Sequence, residues 1–194
     1  IDDRTEASFQ ADIGHNRNRG TRTITCAPAV ASASYDSLTL HTGAGFARTY
    51  PLAPDTRFIP SLRLDYTTMK DRAYSETGAG ALNLGVDGRR VDQLLASFDA
   101  RLVHSLSDRM TLGLNAGGGY DWLAERTSIT ATFAGEPGAA FTTYGNDPRP
   151  WVGRGGAGLT YRTQAGLEVT VRYDLEYRSD YLNQTASAKL RWNF

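Results

Sequence analysis

The residues that could do chemistry are few. His15, His41 and His104 are the chain's three histidines and lie far apart. No HxxxH or HExxH pair brings two imidazoles onto one face, so no metal site is expected. Serines are plentiful, but no GxSxG elbow presents one as a nucleophile. The run GRGGAG (153–158) has the glycine density of a phosphate loop, yet it lies inside an alternating stretch with no helix after it, so that reading fails. There and in GGGY (117–120), glycine suits strand curvature or the close approach of another group. Cys26 is the one cysteine, which excludes an internal disulfide framework and a Cys-rich zinc site. A lone thiol is unusual in an oxidising compartment.

What remains is a set of charges. The carboxylates Asp65, Asp99, Glu168 and Asp174 and the guanidinium groups Arg63, Arg101, Arg154 and Arg172 each stand between apolar residues. Their expected role is to pair with one another and keep one surface polar. No catalytic residue, cofactor or enzyme activity is expected.

Those charges are positioned by elements of period two. In 166–178, Leu167, Val169, Val171, Tyr173, Leu175 and Tyr177 alternate with Glu168, Thr170, Arg172, Asp174, Glu176 and Arg178. Successive side chains of a strand point to opposite faces, so this is a strand with one apolar and one charged face. The same alternation runs through Ala7–Ile13, Leu38–Tyr50, Phe58–Tyr66, Leu94–His104, Met110–Trp122, Trp151–Tyr161 and Ala186–Phe194. Eight long amphipathic strands are expected, and no helix. The connections 51–57, 105–109 and 163–166 are short; 15–33, 70–90 and 123–149 are long, with only 178–181 a short member of that second set. Residues 87–88 (Asp-Gly) read as a hairpin-like turn or kink. Residues 128–134 and 139–144 read as a hairpin in an outer excursion, or as two more strands of the main sheet.

Composition narrows the class. Lys+Arg and Asp+Glu each number 21, so the chain lacks the basic excess of a nucleic-acid binder. Mean hydropathy is −0.42, and no apolar run reaches the ~18 residues of a membrane helix. A membrane β-barrel escapes that test, because only its outer positions are apolar. Strands of about 12 residues exceed the globular norm of roughly 5–6. Aromatics gather near strand ends (Tyr50, Phe58, Tyr161, Trp192 and Phe194 at one end, Tyr120, Trp122, Trp151, Tyr173 and Tyr177 at the other), as in the girdles at the two membrane interfaces. Short turns on one side and long loops on the other complete the pattern of an antiparallel transmembrane β-barrel. Its charged face would line the lumen. The first residues, IDDRTEASF, lack the basic and apolar regions of a signal peptide.

The blocks FIPSLRLDYTTMKDRAYSETGAGALNLGVDGRRVDQLLASFDARL, TLGLNAGGGYDW, TATFAGEPGAAFTTYG and the closing LRWNF occur in that order. From about Ser34 to Phe194 the chain resembles the translocator domain of autotransporters (type V secretion) of Gram-negative bacteria. The resemblance implies a barrel of about twelve strands threaded by a linker helix. Residues 1–194 would supply the last eight strands, without the earlier strands, the linker helix or the passenger. It implies residence in the outer membrane, with outer-membrane lipid, the barrel assembly machinery, a passenger domain and its linker helix as partners. Leu190, Trp192 and Phe194 on one face of the last strand resemble the family's assembly signal. The lumen glycines could admit the linker helix. The rival reading is a free-standing small outer-membrane barrel acting as an adhesin or structural protein through its loops.

Overall fold

The computed structural model describes residues 2–179 and 181–192. The strands, in chain order, are β1 (Thr5–Ile24), β2 (Ala29–Arg48), β3 (Tyr50–Ala53), β4 (Thr56–Asp71), β5 (Tyr74–Ser75), β6 (Leu84–Val86), β7 (Arg89–Ser107), β8 (Met110–Asp121), β9 (Ser128–Phe133), β10 (Glu136–Tyr144), β11 (Trp151–Arg162), β12 (Leu167–Arg178) and β13 (Tyr181–Trp192). The only helical piece among the described residues is a 3₁₀ turn, Gly80–Leu82.

Eight long strands form one antiparallel meander in the order β1-β2-β4-β7-β8-β11-β12-β13, with β3 added beside β4. Among the described residues β1 pairs only with β2 and β13 only with β12, so the sheet is an open path. The tight turns match those expected. At 163–166, Gly166 takes φ 77°, a conformation suited to glycine, and Thr163 N–H donates to Leu167 O at 2.8 Å.

Residues 15–33 depart from expectation. They are no loop: β1 and β2 continue as a paired hairpin, in register from Thr5↔Arg48 to Ile24↔Ala29, closed by a turn at 25–28. Both faces of this extension are largely polar, with His15, Arg17 and Arg19 on one and Asn16, Asn18 and Arg22 on the other. Strand pairing therefore persists where there is no apolar contrast to mark it. Residues 128–144 are the excursion hairpin, not barrel strands, because β9 and β10 belong to a separate sheet of order β10-β9-β6-β5. Asp87 and Gly88 carry the chain from that small sheet into β7, so they form a kink between sheets rather than a hairpin turn.

Residues opposite one another on a ladder share a face. Val171 lies opposite Leu159 and Ala188, and Leu159 opposite Leu112. Arg172 lies opposite Gly158 and Ser187. The sheet thus keeps its apolar and polar sets apart across strands. The apolar face is uncovered: Phe9 is 76 %, Ile13 77 % and Leu62 59 % exposed. The small core has two parts. Ile24, Ala31, Val86 and Ala131 lie where the tall hairpin meets the small sheet, and Leu95, Val103 and Val152 lie on the polar face of the main sheet. No large side chain among the described residues is fully buried. Apolar burial is worth about 25 cal/mol per Å², and the face carrying most of the apolar area is open. Its natural complement is an apolar medium.

Candidate functional site: the charged face of the sheet

All but one of the expected charges pair, along one strand by an i, i+2 step or across the sheet. Arg63 Nε donates to both Asp65 oxygens at 2.9 and 2.8 Å, and Arg172 Nη2 donates to Asp174 Oδ1 at 2.7 Å and to Asn115 Oδ1 at 2.9 Å. Both pairs are two residues apart on one strand, so the pleat places them side by side. Arg154 lies between Glu176 at 3.3 Å on the adjacent β12 and Asp99 at 3.8 Å on β7, reached across Gly117 of the intervening β8. Glu168 meets Arg162 at 2.8 Å and Arg191 at 4.0 Å, rather than the arginines expected for it. Arg101 also departs: no carboxylate among the described residues lies within 4.0 Å of it. Its guanidinium extends toward Gly113 on the facing strand.

The glycines of this face answer to the carboxylates. Gly43, Gly117 and Gly156 lie directly opposite Asp65, Asp99 and Asp174. A Cβ on any of the three would overlap the facing carboxylate. Each acid therefore lies flat across its glycine partner instead of projecting from the sheet. This is close approach in the sense expected, but the approaching group is a side chain of the next strand.

Other members of the face escaped the sequence reading. His41 is held between Asp12 (Nδ1, 2.9 Å) and Asp65 (Nε2, 2.9 Å), and Gln10 Nε2 donates to Asp12 at 2.8 Å. Buried Asp71 accepts from Ser37 Oγ and Arg89 Nε, both at 2.6 Å. Buried Asp121 accepts from Gln93 Nε2 at 2.8 Å and from the Leu94 and Leu123 amides at 3.2 Å. The R-x-D step, seen at 63–65 and 172–174, was the available signal for same-strand pairs. The cross-strand ones depend on register, which single-strand patterning does not reveal.

Above the sheet, the small sheet is tied to the tall hairpin. Ser32 and Thr77 exchange backbone hydrogen bonds of 2.8 and 2.9 Å, and the rings of Tyr35 and Tyr74 stack at 4.5 Å. Gly78 has φ 100°, and a side chain there would meet the Val30 carbonyl. Arg22 Nη2 donates to Glu76 Oε2 at 2.6 Å and to the Leu82 carbonyl at 2.8 Å, and Glu76 also accepts from the Leu84 amide at 2.8 Å. The Arg22 hydrogen bonds hold the Glu76 carboxyl below its ordinary value of 4.5, against the opposing effect of burial.

On the apolar face, Tyr120 packs edge-on against Trp151 with ring centroids 5.0 Å apart, beside Trp122. His104 contacts Thr56 Oγ1 at 2.9 Å beside the turn that carries Asp55. Leu190 and Trp192 are 70 % and 68 % exposed on the same face. Phe194, the third member of the expected assembly signal, lies outside the described residues.

The geometry is that of a curled antiparallel sheet with an apolar outer surface and a charged inner one. The family model of the autotransporter beta-domain matches residues 1–174. That span begins earlier than the resemblance from Ser34, as it must if the tall hairpin belongs to the same sheet. The structure is similar to the translocator domain of the autotransporter NalP from Neisseria meningitidis, with TM-score 0.71 and 20 % identity over 99 % of this chain and 61 % of that one. The sequence is 26 % identical over 149 residues to Outer membrane protein A of Rickettsia conorii, covering 75 % of this chain and 7 % of the relative. The chain thus spans less than two thirds of each protein. With its ordered sheet and its one apolar face, it belongs to the autotransporter beta-domain family of bacterial outer-membrane β-barrels.

Proposed function

We propose that this domain anchors its protein in the outer membrane and serves as the translocator through which a passenger reaches the cell surface. The observation that carries the reading is the open path of the sheet, whose two edge strands, β1 and β13, do not pair with each other among the described residues. An unpaired backbone edge in hydrocarbon costs several kcal/mol per group, so the edges need further strands. Completed in that way, the barrel is wider than eight strands, which by themselves leave an interior that side chains fill. In the wider barrel the charged face carrying Arg63, Asp65, Asp99, Arg101, Arg154, Glu168, Arg172 and Asp174 lines an aqueous lumen. The glycines beneath the acids keep that wall thin. A passenger linker, helical in the family, lies in the lumen. The exposed apolar face meets lipid. Leu190, Trp192 and Phe194 form the segment read by the barrel assembly machinery. The work is done by geometry and charge, without a cofactor.

The test is surface display. A protease-sensitive reporter is placed as the passenger of the complete protein and probed on intact cells. Reporter cleavage by external protease, with periplasmic markers untouched, is the expected result. A barrel that inserts and shows heat-modifiable mobility while its reporter stays shielded would sink the translocator role and leave the anchor. A disulfide forming readily between cysteines placed on the facing edges of β1 and β13 would show a closed small barrel instead.

A further inference from the structure

We infer that the extracellular end of the outer face, across β1, β2 and β4 and ending at β7, is a docking belt for phosphate-bearing headgroups of outer-leaflet lipid. The inference rests on the reading of the apolar face as the lipid-facing one. On that face the row Ala11–Thr42–Tyr66–Leu94 is mainly apolar and aromatic, and the next row up, Ile13–Leu40–Thr68–Asp92, is apolar on β1 and β2 and turns polar on β4 and β7. The row above is His15–Leu38–Lys70–Arg90. The one after it holds Arg17 opposite Asp36, with the Arg72 amide donating to the Asp36 carbonyl at 3.0 Å. Arg19 stands one step higher on the same face of β1.

Side-chain contacts join His15 and Arg17 to Asp36, and Arg90 to Asp92, Thr68 and Tyr66. Asp36 lies 3.8 Å from His15 and 3.6 Å from Arg17. Arg90 donates to Asp92 at 3.0 Å, Thr68 at 3.2 Å and the Tyr66 hydroxyl at 3.0 Å. The belt thus holds five permanent cations (Arg17, Arg19, Lys70, Arg72 and Arg90) and two carboxylates (Asp36 and Asp92). Lys70 and Arg72 are exposed, and neither has a carboxylate within 4.0 Å among the described residues. Beyond Arg90 the rim becomes mixed in sign, with Asp87, Glu125 and Arg126, so the excess lies over β1, β2 and β4.

The occupant follows from position. A cation just above an apolar band, pointing away from the lumen, sits at headgroup depth. Long basic side chains there keep their stems in the apolar layer and their charges among headgroups. Arginine matches phosphate oxygens in a bidentate fashion. Tyr66, hydrogen-bonded to both Arg90 and Asp92, fixes the lower edge of the belt at the interface, where tyrosine is favoured.

The test uses the intact protein purified from outer membranes in mild detergent, titrated with lipid A and with the same lipid stripped of its phosphates. Bound lipid is counted by native mass spectrometry. We expect a preference of about tenfold for the phosphorylated form, in line with a few surface cations acting together. The triple variant K70Q/R72Q/R90Q should abolish that preference and still bind the stripped lipid. The pair D36N/D92N should raise the preference. Inorganic phosphate alone should not displace the lipid; displacement would overturn the headgroup assignment. Equal binding of both lipids by the unaltered protein, or an unchanged preference in the triple variant, would overturn the belt. If the triple variant lacks a heat-modifiable band, D36N/D92N decides, and no gain there overturns it. Loss of both lipids from the unaltered protein would instead strike the face assignment beneath the inference.

Discussion

The lumen-side glycines differ sharply in what they tolerate. On β8, Gly117 faces Asp99, and a Cβ there would also come within 2.6 Å of the Phe98 carbonyl, which cannot move without disturbing the ladder. Gly113, on the same face of the same strand, would meet nothing closer than 3.9 Å. Gly117→Ala should therefore destabilise the folded barrel by about 1–3 kcal/mol, as overpacking does. Gly113→Ala should be neutral or mildly stabilising, because alanine loses less backbone freedom on folding. A urea refolding titration in lipid vesicles, monitored by tryptophan fluorescence, measures both; equal midpoints for the two variants would reject the assignment.

The Arg22–Glu76 clamp gives a pH dependence whose sign is fixed. The Glu76 carboxyl is held below its ordinary value of 4.5, so its contribution is present in full above that value. It is lost as pH falls through the lower, folded value. Pepsin cleavage within residues 72–88 should thus accelerate as pH drops below 4.5. In Arg22→Met the clamp is missing at every pH, so cleavage should begin fast and vary little across that interval. A wild-type profile as flat as that of the variant would refute the clamp.

At the scale of the element, the two faces of β12 should respond oppositely to charge. Val171 is 56 % exposed on the apolar face, while the Thr170 hydroxyl meets that of Thr160 at 3.0 Å on the polar one. Val171→Arg should lose about 2–4 kcal/mol if it lies near the bilayer midplane. Thr170→Arg should lose no more than about 1 kcal/mol, the worth of one hydrogen bond. Urea midpoints in vesicles separate the two. This alternation was legible in the sequence because lipid and water impose a contrast residue by residue. The upper parts of β1 and β2 were not, because both of their faces are polar there, so no apolar contrast marks a pairing that runs on to Ile24 opposite Ala29. The small sheet was half legible: its 128–144 hairpin is local, but the partners Leu84–Val86 and Tyr74–Ser75 are distant in sequence. For the same reason Arg63–Asp65 could be read from one strand, whereas Arg154 between Asp99 and Glu176 could not.

For the whole molecule, the open sheet separates assembly from final stability. Leu190 and Trp192 are two of many exposed apolar side chains, and loss of a neighbouring interfacial aromatic should matter little once the barrel is closed. Deleting Phe194 should therefore lower the yield of heat-modifiable barrel in cells while leaving refolding of the purified protein in detergent near normal. Normal cellular yield would remove the proposed assembly signal. Reduced refolding in detergent to the same extent would make the residue structural instead.

The tall hairpin leaves the chain's single thiol in an unusual place. Cys26 is exposed in the 25–28 turn, just past Ile24, the end of β1, which lies eleven residues and so about 35 Å of strand beyond Ile13. The protein therefore carries its own topology reporter. A bulky, membrane-impermeant maleimide added to intact cells should label the domain at Cys26, and Cys26→Ser should remove the label. Labelling that required outer-membrane permeabilisation would place the turn in the periplasm and invert the barrel.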